Sequence, residues 1–388
     1  MEVYGGQMNI LSRNEICESD RWSDWHWQLS NSIRKIEELE QWVDLTEDER
    51  KVIKDSENRF RWQITPYYAA LMDKHDSNCP IRLQAIPSRQ ELMTHANSDV
   101  DPVGDMQYRK TNRVVHKYHD RVIMLVTQNC PVYCRHCTRK FHTTEKQQSY
   151  FAEGEGSSYD ADFEYIAAHP EIRDVLLTGG DPLTYNDRRI EQILARLRDI
   201  PHVEIIRIGS RYPVLLPQRI TDDFCAMLER YHPVWFSTHF NHPSEITAEA
   251  AAACDRLLRA GVPVQNQTVL LKGINDDVET MRALLCRLLE IRVKPYYLYH
   301  CDNVSGVSHF MTDIERGNAI MEALTGHISG YAIPRYIVTT KLGKIPLEKS
   351  YVTQKDGKII LRSHTGQTMT INALDDVALQ AEVLPQHD

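Results

Sequence analysis

The sequence predicts an α/β fold, a partial (β/α)6 TIM-like barrel with an N-terminal helical region and a short C-terminal extension. Three observations point to it. From residue 121 onward, strand-like runs at 122–126, 174–178, 203–208, 234–238, 264–270 and 293–299 alternate with helix-like stretches, among them 187–199, 221–231, 247–260 and 277–291. Such alternation reads as a parallel sheet covered by helices. The first strand runs into a cysteine-rich loop and the second into T-G-G-D-P, so chemistry gathers at the strand ends, where ligands of parallel α/β folds bind. Six repeats fall short of a closed eight-fold barrel, although 334–339 offers one further strand.

The 388 residues divide into a helical region at 1–115, the barrel at 116–340 and a C-terminal segment at 341–388. In the first, Ile33, Ile36 and Leu39 recur at helical spacing after Trp22, Trp25 and Trp27. Thr46 and Glu49 stand as N-cap and capping-box partner, and 64–68 begins another helix. Residues 97–106, rich in Asp, Asn and Gly, read as a linker, and the tail from about 365 is short, acidic and without functional signal.

Composition is that of a soluble globular protein, 42% hydrophobic and 26% charged. A net charge of −9 argues against broad nucleic-acid binding. No apolar run is long enough for a bilayer and the start, M-E-V-Y-G-G-Q-M, is not a signal peptide. No membrane contact and a cytoplasmic location are therefore expected. In that compartment nine cysteines are thiols or ligands sooner than disulfides.

The chain is organised around C-P-V-Y-C-R-H-C-T-R, in which Cys130, Cys134 and Cys137 have C-x3-C-x2-C spacing. Thiolates are soft ligands suited to iron–sulfur clusters, zinc or Cu(I). Three of them can hold a cubane and leave one iron open for chemistry. Packing is a poor account of three cysteines in eight residues. Zinc needs a fourth ligand, for which His136 is at hand, but the spacing is not that of a paired zinc ribbon.

The triplet after one strand, G-G-D-P after the next, and the stretches Y-C-R-H-C-T-R-K, I-G-S-R-Y-P-V and S-T-H-F-N-H-P together resemble the radical S-adenosylmethionine (SAM) superfamily. Within it, they resemble the 2,3-aminomutases of the lysine 2,3-aminomutase type, from about Trp22 to about Arg362. The resemblance implies that Cys130, Cys134 and Cys137 hold a 4Fe-4S cluster and that Gly179, Gly180 and Asp181 receive SAM. It also implies that Tyr133 and His136 line the cluster or adenine, with Gln267 and the His239/Asn241/His242 group around the cavity. A flavodoxin- or ferredoxin-type electron donor and a homo-oligomer, dimer or tetramer, follow as expected partners.

Moving an amino group between adjacent carbons by a radical route calls for pyridoxal 5′-phosphate (PLP), bound through a lysine. Lys344, in K-L-G-K-I-P, fits the family's lysine loop better than its rival Lys341, although the loop is shorter and poorer in glycine. Lys117 and Arg121 match a phosphate clamp in which the family carries two arginines. Arg139 matches the cation for the substrate carboxylate.

The two aspartates that hold lysine's distal ammonium in the family correspond to Asp302 and to about Thr339, so one carboxylate is kept. The expected activity is a 2,3-aminomutase acting on a free L-amino acid with a basic side chain, lysine or arginine. An inward Arg335 would open the site to glutamate. Radical modification of a protein lysine and a non-enzymatic zinc-binding protein are the rival classes. No cysteine follows Cys301, so the family's further zinc site is not expected.

Overall fold

The computed structural model describes residues 13–56, 59–93, 98–144, 151, 158–348, 351–355 and 358–372. Asn97 of the expected linker and the tail from 373 onward lie outside them. Strands β1 (Val114–Tyr118), β2 (Arg121–Thr127), β3 (Asp174–Gly179), β4 (Ile205–Gly209), β5 (Val234–Thr238), β6 (Val264–Leu270), β7 (Lys294–His300), β8 (Arg335–Thr340) and β9 (Gly343–Pro346) form one sheet in that order. Strands β2 to β8 run parallel, with β1 and β9 antiparallel at the two edges. All six expected strands form, and 334–339 supplies β8 as the parallel partner of β7. The barrel boundary expected at 116 falls inside β1, which begins at Val114.

Period-two patterning decides which side chains meet the site. In β6, Val264, Asn266, Thr268 and Leu270 are buried while Gln265, Gln267 and Val269 are half-buried. The buried face packs under helices such as Ala248–Arg259 and Val278–Glu290, each capped by an Asp or Thr side chain. The other face lines the concave side of the sheet.

Side chains tie the two edges of the sheet together. The Tyr118 hydroxyl on β1 accepts a hydrogen bond from the Lys344 backbone N–H on β9 at 2.9 Å. Lys117 donates to the carbonyls of Thr340 and of Val103, the latter at 2.7 Å. One of its three donors thus links β1 to β8, and a second holds the 98–106 segment against the sheet.

The N-terminal helices share the barrel's core: Leu39, Trp62 and Tyr67 belong to one buried cluster with Val175, Phe236 and Tyr336. Thr46 and Glu49 form the expected reciprocal cap, at 2.8 and 3.2 Å, on the helix Glu47–Ser56. Thr65 caps Pro66–Ala70. Ile33, expected in a helix, instead bridges to Ile64 in extended backbone.

Residues 98–106 are no solvated linker. Asp101 and Asp105 are buried, and the Asp101 carboxylate accepts from the N–H groups of Asp105 and Met106 at 2.9 and 2.7 Å. The same residues that signal a turn here satisfy its amides from within. After β9, strands β10 (Val352–Lys355), β11 (Lys358–Arg362) and β12 (Thr368–Asn372) make a small antiparallel sheet. Among the described residues, no helix is long and apolar enough to cross a membrane.

Candidate active site

Cys130, Cys134 and Cys137 occupy the loop that leaves β2 before the short helix Lys140–Thr143, half-buried and outside any disulfide. Cys134 Sγ accepts a hydrogen bond from Arg211 Nη1 at 2.8 Å, and Cys137 Sγ lies 3.7 Å from Thr143 Oγ1. Burial pushes the Cys137 thiol up. Among the described residues no three His, Cys, Asp or Glu side chains converge on a single metal ion. A cubane spreads its thiolates over separate irons, and three soft donors on one supported loop fit it.

His136 is buried, with partners from outside the cysteine loop. Its Nε2 accepts from Asn241 Nδ2 at 3.2 Å and its ring meets Phe310 edge-on. Burial, with Arg211 beside it, holds its pKa well below the usual value, so it is neutral. Tyr133 is buried against the same loop, and burial raises its pKa.

The loop is clamped from the N-terminal helical region. Buried Glu91 pairs with Arg135 and Lys140, which flank Cys137, both at 2.5 Å. Gln63 Nε2 donates to the carbonyls of Cys130 and Pro131 at 3.2 and 3.1 Å.

Gly179 and Gly180 are required by a neighbour that the sequence did not reveal. A Cβ on Gly179 would lie 2.3 Å from the Thr127 carbonyl oxygen, and one on Gly180 2.3 Å from that of Asn129. Gly180 and Asp181 N–H donate to those same carbonyls at 2.6 and 2.8 Å. The close approach is thus to the backbone entering the cysteine loop. The Asp181 carboxylate accepts from the N–H groups of Leu183 and Arg211 at 3.1 and 2.8 Å, and burial lifts its pKa to about 6.

Lys344 faces the concave side among three tyrosines. Its ammonium lies 5.9 Å from the ring centres of Tyr118 and Tyr297 and 6.0 Å from that of Tyr299. Burial lowers its pKa to about 8, helped by the positive charges of Arg207, Arg121, Arg139 and Lys117. Both lysines are solvent-exposed residues, but Lys341, the rival, points to Asp99, with which it pairs at 2.6 Å, and not to the tyrosines. Arg121 lies 4.0 Å over the Tyr118 ring and reaches Asp120 at 2.7 Å. Arg207, which the sequence did not single out, sits at a half-buried position of β4 and bonds Asp174 at 2.8 Å. The only signal for it was an arginine at an inward place in an otherwise apolar strand.

Arg139 Nε donates to Asp105 Oδ2 at 2.6 Å, a partner hidden in the expected linker. Asp302 accepts from Thr138 Oγ1 at 2.7 Å, while its other oxygen is buried without a hydrogen-bond partner. Burial raises its pKa to about 6, and the charges of Arg139 and Lys344 act on it. Thr339 is the half-buried cross-strand partner of Lys344. Gln267 lies at a half-buried position of β6, its carbonyl paired with His239 Nδ1 at 3.0 Å. Asn241 is buried in the hydrogen-bond network, whereas His242 caps a turn by accepting from Ser244 N–H. Arg335 is exposed at the far end of β8. Residues spread from Lys117 to Lys344 thus meet beside the cysteine loop.

Family models match in two places, the radical SAM superfamily over residues 124–285 and lysine-2,3-aminomutase over 321–381. The L-lysine 2,3-aminomutase of Fusobacterium nucleatum is 45% identical, over 90% of this chain and 82% of its own. That of Clostridium subterminale is 45% identical over 92% and 85%. The glutamate 2,3-aminomutase of Clostridioides difficile is 44% identical over 95% and 86%. With near-full-length identity of this order and a cysteine triplet at the strand ends of a partial barrel, the chain belongs to the lysine 2,3-aminomutase family of radical SAM isomerases.

Proposed function

We propose that the protein moves the α-amino group of a free L-amino acid with a basic side chain, lysine or arginine, to the β-carbon. Asp302 carries the substrate assignment: among the described residues it is a buried carboxylate with one oxygen unmatched and no cation bonded to it. Such a group is costly unless a ligand supplies the charge. The L-lysine relatives favour the same reading.

Cys130, Cys134 and Cys137 would hold a 4Fe-4S cluster that, with SAM, would supply radical chemistry, and PLP held at Lys344 would supply a conjugated imine system. The chain's own residues set the stage. Lys344, with a pKa of about 8, keeps a useful neutral fraction for joining the PLP aldehyde. Arg121, Lys117 and Arg207 surround it with the positive charge that a phosphate needs. Arg139, braced by Asp105, offers its guanidinium to the substrate carboxylate. The rings of Tyr118, Tyr297 and Tyr299 lie about the ammonium, which stays open to solvent on the edge strand β9. An external flavodoxin- or ferredoxin-type donor provides the electron.

A glutamate substrate has its support in the Clostridioides difficile relative; the exposed Arg335 adds none. The test is anaerobic reconstitution with iron, sulfide, SAM and PLP, followed by incubation with each of the twenty amino acids. β-Lysine or β-arginine is the expected product. β-Glutamate alone would overturn the basic assignment, and no β-isomer from any amino acid would overturn the activity.

A further inference from the structure

We infer that Arg211 is a positioning residue for the cluster: its guanidinium hydrogen-bonds the sulfur of Cys134, fixes that ligand and raises the cluster's reduction potential. The inference rests on the cysteine triplet holding a cluster. The Cys134 thiol here stands for the cluster-bound thiolate.

Arg211 lies in the I-G-S-R-Y-P-V stretch just after β4 and is buried. All three of its nitrogens are engaged. Nε donates to the His239 carbonyl at 2.9 Å, Nη1 to Cys134 Sγ at 2.8 Å, and Nη2 to Gln84 Oε1 and Glu245 Oε1 at 2.6 and 2.7 Å. Glu245 is itself buried and held by the Tyr68 hydroxyl at 2.8 Å and by the N–H groups of Asn241 and His242 at 2.6 and 3.0 Å. The plane of the guanidinium is therefore set before any sulfur is considered. Glu245 offsets its charge, so the contact with Cys134 is free to act as a directed N–H···S bond. Such bonds, with nearby positive charge, favour the more electron-rich reduced state of an iron–sulfur centre. Lysine in its place could keep the charge but not serve sulfur, amide and carboxylate in one fixed plane.

The test titrates reconstituted protein, without PLP or substrate, against a low-potential one-electron donor such as dithionite. In Arg211→Gln the reduced-to-oxidised ratio at a given poise should fall about tenfold, a shift of about 59 mV for one electron. Arg211→Lys, which leaves Glu245 a cation, should fall between that variant and the parent. A mutation-free arm uses parent protein with arginine 15N-labelled at the guanidinium nitrogens alone, which leaves the backbone amides of Arg135 and Arg139 unlabelled. Pulsed electron paramagnetic resonance of the reduced cluster should then show a weak nitrogen coupling that changes with the label. Full cluster content with an unchanged potential in both variants would overturn the inference. If neither variant takes up iron, the labelled parent decides: coupling supports the bond and its absence refutes it. A parent that forms no iron–sulfur chromophore would instead refute the cluster reading itself.

Discussion

Thr339 and Lys344 face one another across the β8–β9 hairpin. The position where the family's second aspartate is exchanged for a hydroxyl is thus the neighbour of Lys344, the lysine proposed to hold PLP. A carboxylate there would pair with the ammonium as readily as with a substrate. Thr339→Asp should raise the Lys344 pKa above about 8. The rate of PLP attachment needs the neutral amine, so in the parent it should climb with pH and level off above about 8. In Thr339→Asp that rise should move to higher pH; an unmoved profile would separate the two residues.

Lys344→Ala should abolish PLP that borohydride can fix to the protein while leaving iron and sulfide content unchanged. Lys341→Ala should retain both, because Lys341 points to Asp99 at the surface. Fixation surviving in Lys344→Ala would move the attachment site elsewhere.

Asp302→Ala should cost about 2 kcal/mol of binding for a basic substrate, roughly 30-fold in affinity. The wild-type carboxylate also has a pH signature. Its pKa is raised to about 6 by burial, so the charged form predominates only above that value. Affinity for a cationic side chain should therefore fall as pH drops through about 6. Isotopically labelled lysine and arginine, followed across pH, check both statements.

Glu91→Gln strands two buried cations, Arg135 and Lys140, and should destabilise the protein by about 3–5 kcal/mol in denaturant unfolding. Burial alone would raise the Glu91 pKa, but Arg135 and Lys140 outweigh it and bring it down to about 2. A lowered carboxylate pKa adds stability that is fully present above the ordinary value. That share should be lost as pH falls from about 4.5 toward about 2.

Gly180→Ala tests the packing under the cluster loop. Its new methyl would lie 2.3 Å from a backbone oxygen, which cannot rotate aside. A strain of about 1–3 kcal/mol and a lower iron content after reconstitution are expected; normal iron content would show that the loop gives way freely.

Local signals carried the parts of the structure that local physics decides. Alternating apolar runs located the strands, Thr46 and Glu49 located a helix start, and the cysteine spacing located the metal loop. Lys344 was singled out by the glycine and proline that bracket it, and the structure sets it among three tyrosines. Arg207, Asp105 and Arg211 were not, since their meaning comes from distant partners. Asp105 meets Arg139 across 34 residues and Arg211 meets Cys134 across 77. The glycine pair carries a second constraint that its local sequence did not show, because the backbone it accommodates belongs to another strand's loop.

Glu91 and Gln63 grip the cysteine loop from outside the barrel, so the two regions do not behave as separable modules. A chimera that borrows only the strands and their covering helices would bring a metal loop stripped of its counter-charge. Recombination among relatives has to carry the opening helices along with the catalytic half, as one inherited block.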